Sequence, residues 1–322
     1  MPTLHDVPEV AQLLAAVLTA EPVTHGALAV IPLLAPNLDD PDWLTLEEAG
    51  DHVRVTEVSE AGTVPFLKVV NEADQPLLLL DGEELVGAKQ NRILNTTVLV
   101  AAHAEVIIPV SCVEQGRWGY RGRQFRPSDA SLFASIRARK AARVSQSLRA
   151  GRGHVADQGE VWAQLSMRAS ELDVNSPTGA MRDLYTSHES DLAAARQALA
   201  PQPGQAGAII YIANRWVGLD VLAGPRLFGR AWPRLCAGYV ADAIGRKPEP
   251  WQRLDAGAVL TELNGSQAER APAVGLGDEY RLGAAAGLAG ATLVAEQRVA
   301  HLTAFPGIAG ASEGLDSPHV NQ

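Results

Sequence analysis

The sequence predicts an α+β protein. Mainly antiparallel, sandwich-like β-sheet is expected over residues 25–127, helix over 128–200, and a hairpin, a helix and further strands over 201–305. Three observations carry this. Short runs rich in Val, Ile, Leu and Thr fill the first third, with turn residues between them and no room for the long crossovers that parallel strands need. The apolar spacing then lengthens to the three-and-four period of a helix. After residue 201 the strand pattern returns and persists to "VAHLTAF".

Taken in order, residues 1–24 read as an amphipathic N-terminal helix; Asp6, Glu9 and Glu21 stand where a secretory signal would be basic or apolar. "ALAVIPLL", "HVRVTEV" and "VPFLKVV" read as strands. The run Leu77 to Leu80 is apolar on both faces, which implies a covered sheet. Arg92 to Ala102 and Ala104 to Val113 form a hairpin about His103. Ser128 is placed to cap a first helix carrying Leu132, Ile136, Val144 and Leu148. A second begins near Gln158, and Ser176-Pro177 opens a third with Met181, Leu184, Tyr185 and His188 inward. "GAIIYIANRWVGLDVL" is a hairpin turning at Asn214-Arg215. Gly224-Pro225 opens a helix that Pro233 should kink or break. "EYRLGAAAGLAGATLVAEQRVAHLTAFP" supplies two or three strands, and residues 306–322 read as a disordered tail. One domain over 25–305 accommodates all of this.

Composition narrows the function classes. Of 322 residues, 47% are apolar and 20% charged, enough for a sizeable core. The net charge of −10 disfavours a nucleic-acid coat, although Arg117 to Arg152 holds ten basic residues against one acid, Asp129. No membrane span is read. Two distant cysteines, Cys112 and Cys236, fit a reducing cytoplasm. There is no Walker A, G-x-G-x-x-G, H-E-x-x-H or C-x-x-C, so no metal site or dinucleotide fold is indicated. "GASEG" around Ser312 matches a nucleophile elbow by letters only, without the strand and helix that motif needs. Cys112 reads as a core strand residue rather than a nucleophile.

Two polar clusters interrupt the strands. "DGEELVGAKQNR" carries Glu83, Glu84, Gln90, Asn91 and Arg92; "SCVEQGRWGYRG" carries Glu114, Gln115, Arg117, Trp118 and Arg121. The hairpin between them should bring both to one end of the sheet. Arg92 and Arg117 could then fork an anion, Gln90 and Asn91 read sugar hydroxyls or amides, Glu83 and Glu114 act as acid and base, and Trp118 present a flat face. The alternative is internal pairing, Glu83 or Glu84 with Arg92 and Glu114 with Arg117.

Those clusters resemble the ARPP-1 family pattern G-E-x-x-x-G-x-K/G-Q-N-R and C-x-E-x-G-R-W. The matching residues are Gly82, Glu83, Gly87, Gln90, Asn91, Arg92, Cys112, Glu114, Gly116, Arg117 and Trp118, with Ala88 a departure. "GEVWAQL", "NSPTGA", "GQAGAIIYIANRWVGLD" and "GLAGATLVAEQRVAHLTAF" extend the resemblance over nearly the whole chain. The family's name, ARG and rhodanese-phosphatase-superfamily-associated protein domain, implies a place near NAD or ADP-ribose metabolism. It brings no catalytic set and no cofactor. The expectation is therefore binding of a small anionic ligand, an ADP-ribose-like or other phosphorylated sugar nucleotide, with hydrolytic or transfer chemistry. The alternatives are a non-catalytic ligand sensor or protein-interaction module, and a structural partner with no pocket.

Overall fold

The computed structural model describes residues 2–59, 64–252, 254–283 and 287–307. Helix α1 (Pro8–Ala16) begins on a proline, whose missing N–H is no loss in a first turn. Strands β1 (Leu18–Thr19), β2 (Val23–His25) and β3 (Leu28–Leu34) follow. Thr45 caps α2 (Leu46–Ala49) by accepting from the Glu48 N–H. Then come β4 (Val53–Glu57), β5 (Phe66–Asn71), β6 (Leu77–Leu79), β7 (Glu83–Gly87), β8 (Arg92–Leu94), β9 (Val98–Val100), β10 (Ala104–Cys112) and β11 (Gln124–Ser131). The helical segment is α3 (Ala134–Arg149), α4 (Gln158–Glu171), α5 (Met181–Ser187) and α6 (Glu189–Ala198). The last third holds β12 (Gln205–Ile212), β13 (Arg215–Leu222), α7 (Pro225–Ala243), α8 (Ala256–Gly265), β14 (Ala268–Pro272), β15 (Asp278–Leu282), β16 (Leu288–Ala295) and β17 (Arg298–Pro306).

The α+β class and the antiparallel pairing are as the sequence predicts. The sandwich-like first third closes into a barrel in the order β10-β5-β4-β11-β7-β8, because β11 pairs with both β4 and β7. A sheet runs β1-β3-β12-β13-β17-β16-β15-β14, with β2 also on β3. One face of this sheet packs on α1 and α8 through Ile31, Leu33 and Val221; the other packs on α3 and α7 through Val30 and Ile210. The ribbon β6-β9 links barrel and sheet. Leu77 and Leu79 join the barrel core, whereas Leu78 and Leu80 join the core beneath α3 and α7. That is why the run is apolar on both faces.

Several local expectations are corrected. Ser128 lies in β11 and donates to Glu84; α3 starts six residues later, and Asp242 of α7 receives the Ser135 N–H at its N-terminus. Ser176 holds a turn by accepting from the Ala180 N–H, so α5 starts at Met181, whose N–H goes to the Val113 carbonyl. The third helix divides at His188 into α5 and α6. The long strand through Ala102 breaks at Asn95 to Thr97, between β8 and β9. The β12–β13 turn is Ala213-Asn214, both at positive φ (47° and 60°), one residue earlier than predicted. Helix α7 runs continuously past Pro233. The predicted tail from 308 onward, including Ser312, lies outside the described residues. No described helix is long and apolar enough to cross a membrane.

Candidate functional site

The hairpin expected about His103 does not form, since β9 pairs with β6 and the first half of β10 with β5. Strand β8 still pairs antiparallel with the end of β10, placing Arg92 opposite Cys112, and the chain turns into both polar clusters at that end of the barrel. The clusters do meet. Gln90 donates through Nε2 to the Glu114 carbonyl at 2.9 Å, and the Asn91 N–H reaches Glu114 Oε2 at 3.2 Å. Arg117 Nη2 forms a 2.6 Å ion pair with that same oxygen and also donates to Asn91 Oδ1 at 3.0 Å. Arg117 Nη1 donates to the carbonyls of Ala88 and Gly119. Thr178 Oγ1 donates to the other Glu114 oxygen at 3.3 Å. Burial alone would raise the Glu114 carboxyl, but the Arg117 and Asn91 hydrogen bonds outweigh it and hold the group below the usual carboxylate range. Glu114 and Arg117 thus brace each other, and both braces close the loop over Ala88. Ala88 has a positive φ of 37°, which costs a residue with a Cβ on the order of 1 kcal/mol, and its carbonyl is fixed by Arg117 and the Arg121 N–H.

Arg92 is different. It is fully buried, and its one side-chain hydrogen bond to a carboxamide runs from Nη1 to Gln90 Oε1 at 3.0 Å. Nε and Nη2 have no hydrogen-bond partner, and Nη2 stands 4.0 Å from Glu57 at the end of β4. Both Glu57 carboxylate oxygens are equally unpartnered. The Cys112 thiol sits beside this guanidinium and accepts from the Glu114 N–H; burial nonetheless pushes it up, so it stays a neutral thiol. No histidine hydrogen-bonds it among the described residues.

Two predicted residues lie apart from this centre. Glu83 is at the opposite end of β7, where it accepts from the Leu80 N–H and faces Arg234 of α7 at 3.4 Å. It meets neither Arg92 nor Glu114. Trp118 is 53% exposed on the loop outside, with Lys89 Nζ 5.2 Å from its ring centre and 5.1 Å from that of Tyr120, itself exposed. These two rings and the cation form an aromatic ledge beside the barrel mouth.

A family model described as the ARG and Rhodanese-Phosphatase-superfamily-associated Protein domain matches residues 17–305. The chain belongs to the ARPP-1 family. No curated protein and no solved structure matches it. In this ARPP-1 chain, the polar blocks that carried the resemblance are the blocks that seal the barrel end. Gly87 shows one reason for the pattern: at φ 144°, an added Cβ would lie 2.4 Å from the Gln124 carbonyl oxygen.

A second polar centre was missed by sequence reasoning. Asp220 on β13, wholly buried, receives both terminal nitrogens of Arg137 (3.0 and 2.8 Å), the Tyr239 hydroxyl (2.7 Å) and His301 Nε2 (3.0 Å). His301 Nδ1 is 2.7 Å from Thr97 Oγ1, and Asp81 pairs with Lys140 and Arg137. Nearby, Glu279 holds Arg281, Thr96 and His154. Burial opposes ionisation at Asp220 and Glu279, yet their cations win and both carboxyls fall, Glu279 to about 2. Burial lowers Lys140 to about 8. Asp81, Thr96, Thr97, Glu279, Arg281 and His301 of this set line a cavity of about 10 Å³, room for one water centre. The whole set joins barrel, α3 and sheet. The only sequence signal was single polar residues in strands otherwise apolar on both faces, such as Asp220 in "GLDVL" and His301 in "VAHLTAF".

Proposed function

We propose that the closed end of the barrel binds a small anionic, hydroxylated ligand, with the phosphorylated sugar of an ADP-ribose-like nucleotide as the class that fits best. One observation carries this reading: Arg92 and Glu57, both buried, face each other at 4.0 Å with two nitrogens and two oxygens unpartnered. The two form a loose ion pair without a hydrogen bond, and buried charged groups gain from hydrogen bonds, so a polar guest that reaches both would supply the bonds each lacks. A phosphate oxygen satisfies the guanidinium fork and a sugar hydroxyl donates to the carboxylate. The ledge of Trp118, Tyr120 and Lys89 offers a stacking face for a base outside the mouth. The ADP-ribose class itself comes from the family resemblance.

Hydrolytic or transfer chemistry needs a carboxylate free to exchange a proton. Glu114 has both oxygens engaged, and Glu83 is elsewhere, so at this end Glu57 is the carboxylate so placed. Binding without turnover is the second reading, favoured by the engagement of Glu114. Thermal-shift titration with inorganic phosphate, ribose 5-phosphate, ADP-ribose and NAD tests the proposal. A ligand at a hundredfold excess over its Kd stabilises by about 2.7 kcal/mol, a readily seen rise in Tm. The shift should be largest for the sugar phosphates and be lost in Arg92→Ala and weakened in Glu57→Gln. A flat response to all four compounds, or an undiminished shift in both variants, would overturn it. Product formation that survives in Glu114→Gln but not in Glu57→Gln would identify the base.

A further inference from the structure

A cleft lies between α3, α4, the β12–β13 turn and the segment after α7. Its volume is about 690 Å³, within the range of small-molecule sites. Its charged lining divides into spent and unspent groups. Arg168 donates to the carbonyls of Ala241 and Ile244 at 2.7 Å each, closing the C-terminal turn of α7, and pairs with Glu171 at 2.8 Å. Asp242 accepts both the backbone and side-chain donors of Ser135 at 2.7 Å, and burial pushes its carboxyl up, towards the neutral form. Neither is free for a guest.

Three other arginines ring the cleft. Arg139 is 3.7 Å from Glu160, and Arg246 is 4.0 Å from a Glu171 already held by Arg168. Arg215, at the hairpin turn, has no side-chain hydrogen bond or ion pair among the described residues. Against these loosely held cations stands Glu249 alone among the acids not already engaged. The cleft walls between them are apolar: Ile136 of α3, Val217 of β13, and Met167 of α4, which is 51% exposed. A long apolar side chain left in water beside three underused guanidiniums has the chemistry of a site for an amphiphilic anion.

We infer that this cleft is a second ligand site, taking an organic phosphate or carboxylate whose apolar body lies on Met167, Ile136 and Val217 and whose charge is gripped by Arg215 with Arg139 and Arg246. It is separate from the barrel end and independent of the reading given for that end. Isothermal titration of the full chain with phenyl phosphate, inorganic phosphate and phenol tests it. Phenyl phosphate should bind at least tenfold more tightly than either fragment, and Arg215→Ala combined with Arg246→Ala should weaken it at least tenfold. Both arginines are exposed, so the variant should retain the wild-type Tm. Met167→Ser should weaken phenyl phosphate while leaving inorganic phosphate unchanged. Absence of phenyl phosphate binding at millimolar concentration would overturn the inference. So would equal binding of phenyl phosphate and inorganic phosphate, or undiminished phenyl phosphate binding in the Arg215 and Arg246 variant.

Discussion

At the scale of single residues, the two buried polar centres answer to different rules. Asp220 is satisfied four ways, so removing its chief partner exposes the cost of an unpaired charge. Arg137→Met should destabilise by about 3–5 kcal/mol, and adding Asp220→Leu should recover part of that loss, both read by urea denaturation. A single-variant loss under about 1 kcal/mol would contradict the pairing. Glu84 gives a pH signature. Burial raises its carboxyl to about 7 against the Ser128 hydrogen bond, from 4.5 when unfolded. Between those values the folded chain keeps a proton that the unfolded chain has lost. Its stabilising share is therefore complete below 4.5 and lost as pH rises through 7, a change of about 3 kcal/mol. Glu84→Gln should flatten the decline in stability from pH 5 to 8. The meeting of Gln90 and Asn91 with Glu114 was legible because the antiparallel pairing of Arg92 with Cys112 forces it. The Asp220–His301 contact was not, since its members are isolated letters 81 residues apart.

At the scale of elements, strands were legible and their ends were not. Ser128 and Ser176 look like helix caps by residue type, but each hydroxyl serves a strand or a turn, and packing decided where the helices begin. The hairpin turns carry poor turn chemistry. Glu296-Gln297 joins β16 to β17 at positive φ (49° and 60°), as Ala213-Asn214 joins β12 to β13. Glycine relieves the Cβ clash in that conformation, so Gln297→Gly should stabilise by about 0.5–1 kcal/mol in thermal or urea unfolding. Glu296 is a poorer choice because its carboxylate accepts from the Trp43 indole. Conversely, Gly87→Ala should destabilise the barrel, since the new methyl meets backbone rather than a movable side chain.

At the scale of the whole molecule, the sequence indicated one α+β unit but not a barrel. Closure depends on β11 serving two partners, and nothing in a strand's alternation says how many neighbours it has. The core beneath α3 and α7 takes residues from β6, β11, β12 and β16, so barrel and sheet share apolar surface. They should unfold together. Hydrogen exchange at the slowest amides of β5 and β12 should give the same opening free energy, and a gap of more than about 2 kcal/mol would mean two cooperative units.

The ribbon at Leu77 to Leu80 has one more consequence. Because leucine lies on both of its faces, sliding it by one position would change little in hydrophobic burial. Apolar packing therefore cannot tell the right alignment from the wrong one. Asp81, the next residue, can: in the correct alignment it lands on Lys140 and Arg137, and a slip would leave Lys140 in the interior without its carboxylate. The acid at the end of the leucine run works as a key cut to a single position, and it is the charge, not the grease, that tells this strand where to stop.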